Sequence, residues 1–224
     1  INGADRRDAD DEGPSLNQIE QHCQDVFSRM NSGECILKMD PQTDVLLPLF
    51  EHVKHLEETR CDVNLLFVSE DPSDTSDDLF DAIEGRPNLV VVASTTEGRH
   101  FGVMLKQPIR EMNQKSYDPD ISAFVYRPDD EEIPFERFFT YDDVCYGCFV
   151  LLPRRSTSGL IKVAVDGVAQ LWMGTEKSNS YSENLSQLFE GMNDDDLTGH
   201  DGKTKQEWFH CERLLVLELV PSEW

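Results

Sequence analysis

The stretch NLVVVASTTEGRHFGVMLK, residues 88–106, decides the fold because it contains two apolar runs around a short segment with a glycine. Residues 88–94 and 99–106 are rich in strand-forming side chains, and Gly98 can adopt the positive φ that a tight turn needs. The stretch lacks both the three spaced glycines of a dinucleotide-binding loop and the Gly-Lys-Ser/Thr of a P-loop. It therefore predicts a β-hairpin and not a phosphate-binding loop.

Similar apolar runs bounded by turn residues continue along the chain. Asp166-Gly167 predicts a second hairpin, and residues 76–85 predict a short helix that ends at Gly85. Strand–helix alternation does not repeat, so the sequence predicts an α+β fold. In this fold, an antiparallel β-sandwich is flanked by short helices and carries an N-terminal helical appendage. Seven or eight strands are expected, within 62–69, 88–94, 99–106, 122–127, 148–153, 159–167, 169–174 and 212–220.

The first sixty residues differ in composition from the rest. Residues 1–13 are polar and acidic, which predicts a disordered acidic tail. Ser15 with Gln18 three residues later is typical of a capping box, and a second helix is expected before residue 60. The predicted organisation is therefore a tail at 1–13, a helical appendage at 14–60 and a β-sandwich domain at 61–224.

The charge balance is strongly acidic, with 20 Lys and Arg against 44 Asp and Glu and a net charge of −24. Such a charge repels nucleic acid and anionic lipid, while a basic protein or a cation stays open as a partner. The chain has six cysteines, no apolar run long enough to span a membrane and no signal-peptide pattern. We expect free thiols, no membrane insertion, and a cytoplasmic location, with a nuclear one left open.

A C-x-x-C motif lies at Cys145 and Cys148. Zinc needs four ligands, and His200, His210 and Cys211 are not spaced as a second pair. A redox C-x-x-C normally opens a helix, whereas residues 148–153 are expected to form a strand. We therefore interpret Cys145 and Cys148 as ordinary thiols in or beside the core, with redox chemistry as the alternative.

An acidic loop near residue 196 offers metal candidates at Asp194, Asp196 and Asp201. In an EF-hand register that starts at Asp194, Gly199 occupies position six as required, but Lys205 stands where a bidentate Glu is needed. A solvated acidic loop is therefore favoured over a calcium site.

Two pairs of side chains could take part in catalysis or metal binding. Glu97 and His100 could be an orienting acid and a base, but residues three apart across a tight turn need not face each other. His52 and His55 lie one helical turn apart and could hold a metal, although surface histidines are commoner on such a helix. No nucleophile accompanies them, so we predict no catalytic residue and no cofactor.

The order of motifs resembles the TLDc domain family. LLFVSED (65–71) and DDLFDAIEG (77–85) precede a hairpin with Gly98, Phe101 and Gly102. The segments ISAFVYRP (121–128), GLIKVAVDGVAQLWMG (159–174, with Asp166 and Gly167 at its turn) and WFHCERLLVLELV (208–220) follow in the family's order. The resemblance covers residues 62 to 220.

This resemblance implies a non-enzymatic protein-interaction domain that protects against oxidative stress inside the cell and contacts subunits of the vacuolar proton pump. The N-terminal helices would then dock a partner or form a homodimer. Two alternatives stay open. One is a calcium- or zinc-responsive module that uses the acidic loops at 70–78 and 194–201. The other is a thiol or hydrolytic enzyme that uses the C-x-x-C pair or His100.

Overall fold

Two antiparallel sheets dominate the protein in a computed structural model. The structure describes residues 49, 52–53, 61–69, 74–130, 132–153, 160–174, 180–193, 195–198 and 206–221, all within one unit, Val45–Trp224. The strands are β1 (Cys61–Ser69), β2 (Leu89–Thr95), β3 (His100–Leu105), β4 (Ser116–Tyr117), β5 (Ser122–Tyr126), β6 (Phe135–Phe139), β7 (Phe149–Leu151), β8 (Ile161–Val165), β9 (Ala169–Met173), β10 (Ser180–Glu183), β11 (Gln206–Phe209) and β12 (Cys211–Pro221). The described helices that have defined bounds are α1 (Ser76–Ile83), α2 (Asp195–Thr198) and the 3-10 turns Cys145–Gly147 and Leu185–Gln187.

Each sheet contains six strands. The first has the order β1-β12-β2-β3-β5-β6, and the second has the order β11-β10-β9-β8-β7-β4. One hydrophobic cluster takes side chains from both sheets, and the ring of Phe101 in β3 meets that of Phe209 in β11 edge to face at 5.1 Å. This arrangement is compatible with the predicted β-sandwich.

Both predicted hairpins are confirmed. Strands β2 and β3 pair with Ala93 opposite Phe101, and the turn between them places Gly98 at φ 78°. Strands β8 and β9 pair in the same way around Gly167, at φ 73°. In both turns the glycine adopts the left-handed conformation that the sequence predicted.

Phe101 and Gly102 have different packing roles. The Phe101 side chain is fully buried in the core. A Cβ on Gly102 would lie 2.0 Å from the Val91 carbonyl oxygen and 2.7 Å from a ring carbon of Phe124. Position 102 therefore accepts only glycine without a shift of the neighbouring strand.

The predicted short helix is also confirmed. Thr75 caps α1, since its hydroxyl accepts a hydrogen bond from the Asp78 N–H while the Asp78 carboxylate accepts one from the Thr75 N–H. Leu79 and Ile83 are fully buried. The capping box and the one-sided apolar spacing explain why these eight residues form a helix.

The predicted number of strands is wrong, because the described residues form twelve strands rather than seven or eight. The missed strands are β4, β6, β10 and β11. They have two to five residues, and none of them contains an apolar run of four, so an apolar-run criterion overlooks them. Pairing with neighbouring strands stabilises them instead.

The outer face of the first sheet is buried as well. Every residue of β2, β3 and β5 is buried, including side chains that point away from the inter-sheet core. The helical residues Leu49 and Val53 are fully buried, and the His52 ring stacks on Phe135 at 5.6 Å. These residues lie in the second predicted helix, whereas the predicted tail and first helix lie outside the described residues.

Candidate functional site

The C-x-x-C motif forms a single 3-10 turn. Cys145 begins the turn, and the Cys148 N–H donates a hydrogen bond to the Cys145 carbonyl at 3.1 Å. Strand β7 starts one residue later, at Phe149, so neither cysteine lies in the strand that the sequence predicted to start at residue 148. Cys148 follows the turn in an extended conformation, so only Cys145 lies within it.

The two thiols differ in exposure. Cys148 is fully buried, and burial raises the pKa of its thiol to about 12. Cys145 is partly exposed, and its thiol donates to the Asp142 carbonyl at 3.2 Å. Cys211 is buried too, and burial raises its pKa to about 12. The thiolate is the nucleophile and the metal ligand, so Cys148 and Cys211 are poorly suited to either role near neutral pH.

A groove of about 570 Å³ opens beside this turn, and Cys145 is part of its wall. Two of its lining side chains are large exposed aromatics, Phe139 at 57% and Tyr146 at 83%. Its lining residues are Lys106, Pro119, Asp120, Ile121, Arg137, Phe139, Thr140, Asp142, Cys145 and Tyr146. We call it the aromatic groove. Exposed aromatic side chains in a concave surface favour binding of a partner.

The charges of the aromatic groove are balanced. Lys106 and Arg137 contribute positive charge, and Asp120 and Asp142 contribute negative charge. The Arg137 guanidinium lies over the Phe139 ring at 4.7 Å. A chain of net charge −24 repels an acidic group of a partner. The balanced charges of the groove remove this repulsion locally.

A buried carboxylate fixes one wall of the aromatic groove. Asp118 is 1% exposed, and its Oδ2 accepts hydrogen bonds from the N–H groups of Lys106 at 2.6 Å and Gln107 at 2.9 Å. Its Oδ1 accepts a third from the Asp120 N–H at 3.1 Å. Three backbone donors satisfy the carboxylate, so it ties the loop after β3 to the segment before β5.

His100 and Glu97 lie in different environments. His100 is 6% exposed, and its Nδ1 lies 3.0 Å from the Ser94 hydroxyl oxygen. Glu97 is exposed in the turn before β3. The His100 ring therefore packs against the sheet. Its hydrogen bond with Ser94 satisfies a polar atom of the buried ring, which explains why a histidine can occupy this buried position.

His52 contacts aromatic rings. Its ring lies 5.6 Å from that of Phe135 and 5.8 Å from that of Tyr126. His55, the second member of the predicted pair, lies outside the described residues. His52 therefore packs on the first sheet rather than standing on an open helix surface.

Asp196 of the acidic loop contacts protein groups. Its Oδ2 accepts from the Asn193 N–H at 2.8 Å, and its Oδ1 lies 3.4 Å from an Arg127 Nη. Asp194 and Asp201 lie outside the described residues. Within the described residues, no group of three His, Cys, Asp or Glu side chains could hold a metal ion.

No family model matches the chain, and no curated protein matches it. The similarity to the TLDc domain thus rests on the residues quoted above. Among the described helices, none is both long and apolar enough to cross a membrane.

Sequence reasoning missed the aromatic groove. Phe139, Tyr146 and Lys106 come from separate loops and strand ends, so no single motif contains them. The available signal was FERFF (135–139), an aromatic-rich run two residues after an acidic stretch. Alternation of Phe135, Arg137 and Phe139 would have placed three large side chains on one face of a strand.

Proposed function

We propose that the chain is a non-enzymatic protein-interaction domain of the TLDc type, which acts in the oxidative-stress response in the cytoplasm or nucleus. Its partner in this proposal is a subunit of the vacuolar proton pump. The observation that supports protein binding is the aromatic groove, which has two exposed aromatic side chains. The pump and the stress response come from the TLDc resemblance.

Several features support binding over chemistry at this groove. The buried thiol that follows the adjacent 3-10 turn, Cys148, has a pKa raised to about 12 by burial, which leaves it protonated near neutral pH. The cationic side chain of Arg137 contacts Phe139 and donates through Nε to the Ser122 hydroxyl at 2.9 Å. Aromatic and arginine side chains are the ones that contribute most to protein interfaces.

The experiment is affinity capture with the full chain. The full chain is needed because Leu49 and Val53 are fully buried, so a version that starts at residue 60 would lose core side chains. We expect retention of pump subunits at moderate salt, and loss of that retention in the double variant Phe139→Ala and Tyr146→Ala.

The matched control is Ile133→Ala, which removes a side chain that is 53% exposed and lies outside the groove lining. We expect this variant to retain the pump subunits. If the intact chain captures no pump subunits while a TLDc protein captures them under the same conditions, the proposed partner is wrong. If the double variant captures the subunits as well as the intact chain does, the proposal that the groove binds them is wrong.

A further inference from the structure

The outer face of the second sheet carries a row of aromatic side chains. Lys162, Trp172, Tyr181 and Trp208 stand opposite one another on the consecutive strands β8, β9, β10 and β11. Their neighbours along each strand, such as Leu171 and Ser182, are buried in the opposite direction. Because side chains alternate along a strand, the row faces outward. We call it the aromatic row.

The aromatic row is continuous. The rings of Trp172 and Tyr181 are 6.2 Å apart, and those of Tyr181 and Trp208 are 4.9 Å apart. Lys162 Nζ lies 4.9 Å from the Trp172 ring centre. Trp208, on the edge strand, is 51% exposed. Cross-strand packing alone explains why such rings stabilise a sheet, but it does not explain why a tryptophan remains half exposed.

A polar pocket adjoins the aromatic row. Gln170 and Glu183 lie two positions along the strands from Trp172 and Tyr181, and the Gln170 amide donates to the Glu183 carboxylate at 2.6 Å. Together with Lys162, they line a pocket of about 150 Å³. Its other polar side chains are Asp166 and Asn184. Aromatic rings and planar amide and carboxylate groups therefore share one surface.

We propose that this surface binds a neutral oligosaccharide. A sugar ring has an apolar C–H face, which packs on an aromatic ring, and hydroxyl edges, which exchange hydrogen bonds with amides and carboxylates. The aromatic row supplies rings on three neighbouring strands, so consecutive sugar units pack along Trp172, Tyr181 and Trp208. Gln170 and Glu183 bond the hydroxyls of a unit in the polar pocket.

Other ligand classes fit this surface less well. The net charge of −24, with Asp166 and Glu183 in the pocket, repels nucleic acid and other polyanions. The surface lies on a different sheet from Arg137 and Phe139 of the aromatic groove, so this proposal does not depend on the proposed function.

The test is a titration of the full chain with cellohexaose, maltohexaose and chitohexaose, followed by tryptophan fluorescence and calorimetry. We expect at least one of the three to bind. Trp208→Ala should weaken that binding about tenfold or more, because the sugar loses its most exposed stacking partner. Tyr146→Ala, which removes an exposed aromatic from the other site, should leave it unchanged.

Two further variants keep the result interpretable. Gln170→Ala tests the polar pocket if Trp208→Ala lowers the melting temperature, and it should also weaken binding. Glu183→Gln removes the charged acceptor of the sugar hydroxyls in the same pocket and should weaken binding too. Failure of all three sugars to bind overturns the proposal. So does binding unaffected by Trp208→Ala and Gln170→Ala, or displacement of the sugar by a proline-rich peptide that binds the same row more tightly.

Discussion

Replacement of Gly102 by alanine is expected to be among the most damaging small changes in the first sheet. The new Cβ would lie 2.0 Å from the Val91 carbonyl oxygen and 2.7 Å from the Phe124 ring. Real Cβ atoms do not approach another atom within 3.0 Å, so β2 and β3 would have to separate by about 1 Å. Gly102 lies opposite Val92, in the middle of the β2–β3 ladder, where such a shift lengthens several hydrogen bonds.

Overpacking of this kind costs about 3 kcal/mol in free energy of unfolding. This cost lies at the upper end of the usual range because the backbone, and not a flexible side chain, has to move. The assay is urea unfolding of the full chain, with the midpoint and slope fitted for each variant. Gly98→Ala is the matched control. Nothing lies within 4 Å of its Cβ, but its φ is 78°, so we expect a loss of only about 1 kcal/mol. A Gly102→Ala loss no larger than that of Gly98→Ala would contradict the steric clash at position 102.

Three other predictions test separate parts of the structure. Asp118→Asn should destabilise the protein by about 2–4 kcal/mol in urea unfolding, because a buried charged acceptor of three N–H groups is lost; a change below about 0.5 kcal/mol would contradict this. Hydrogen bonds from Thr75 lower the pKa of Asp78 in the folded protein. Its contribution to stability is therefore present above the unfolded pKa of about 3.8 and lost as the pH falls through the lower folded value. Asp78→Asn should therefore reduce the fall of the melting temperature at acidic pH. An unchanged fall would contradict the cap. Alkylation at pH 8 followed by peptide mass spectrometry should label Cys145 well before Cys148, since burial raises the pKa of Cys148 to about 12; equal rates would contradict its burial.

The hairpins could be predicted because their signals are local. Gly98 and Gly167 sit between apolar runs, and each needs the positive φ that only glycine adopts without strain. Helix α1 could be predicted for the same reason, since its apolar spacing and Gly85 after it lie within ten residues. Such short-range signals do not depend on the rest of the fold.

Polar strands and the groove could not be predicted in this way. Strand β10 (SYSE) and strand β11 (QEWF) have only four residues each, too few to show a pattern of their own, and their pairing with β9 and with each other stabilises them. The aromatic groove depends on Asp118, which gathers the N–H groups of two separate segments. Contacts between distant segments leave no pattern in a single stretch of sequence.

The aromatic row shows the same limit. Trp172, Tyr181 and Trp208 are spread over 37 positions, and only the registers of three strands place them side by side. The sequence predicted β9 but neither β10 nor β11, so this row could not be assembled from it. The row could be predicted only if the pairing of β9, β10 and β11 were known.

Binding of the full chain to purified vacuolar proton pump, measured by biolayer interferometry, tests the central proposal most directly. We expect saturable binding that weakens about tenfold or more in the double variant Phe139→Ala and Tyr146→Ala, and that stays unchanged in Ile133→Ala. No saturable binding, with the protein folded by circular dichroism and a TLDc protein binding in parallel, would contradict it.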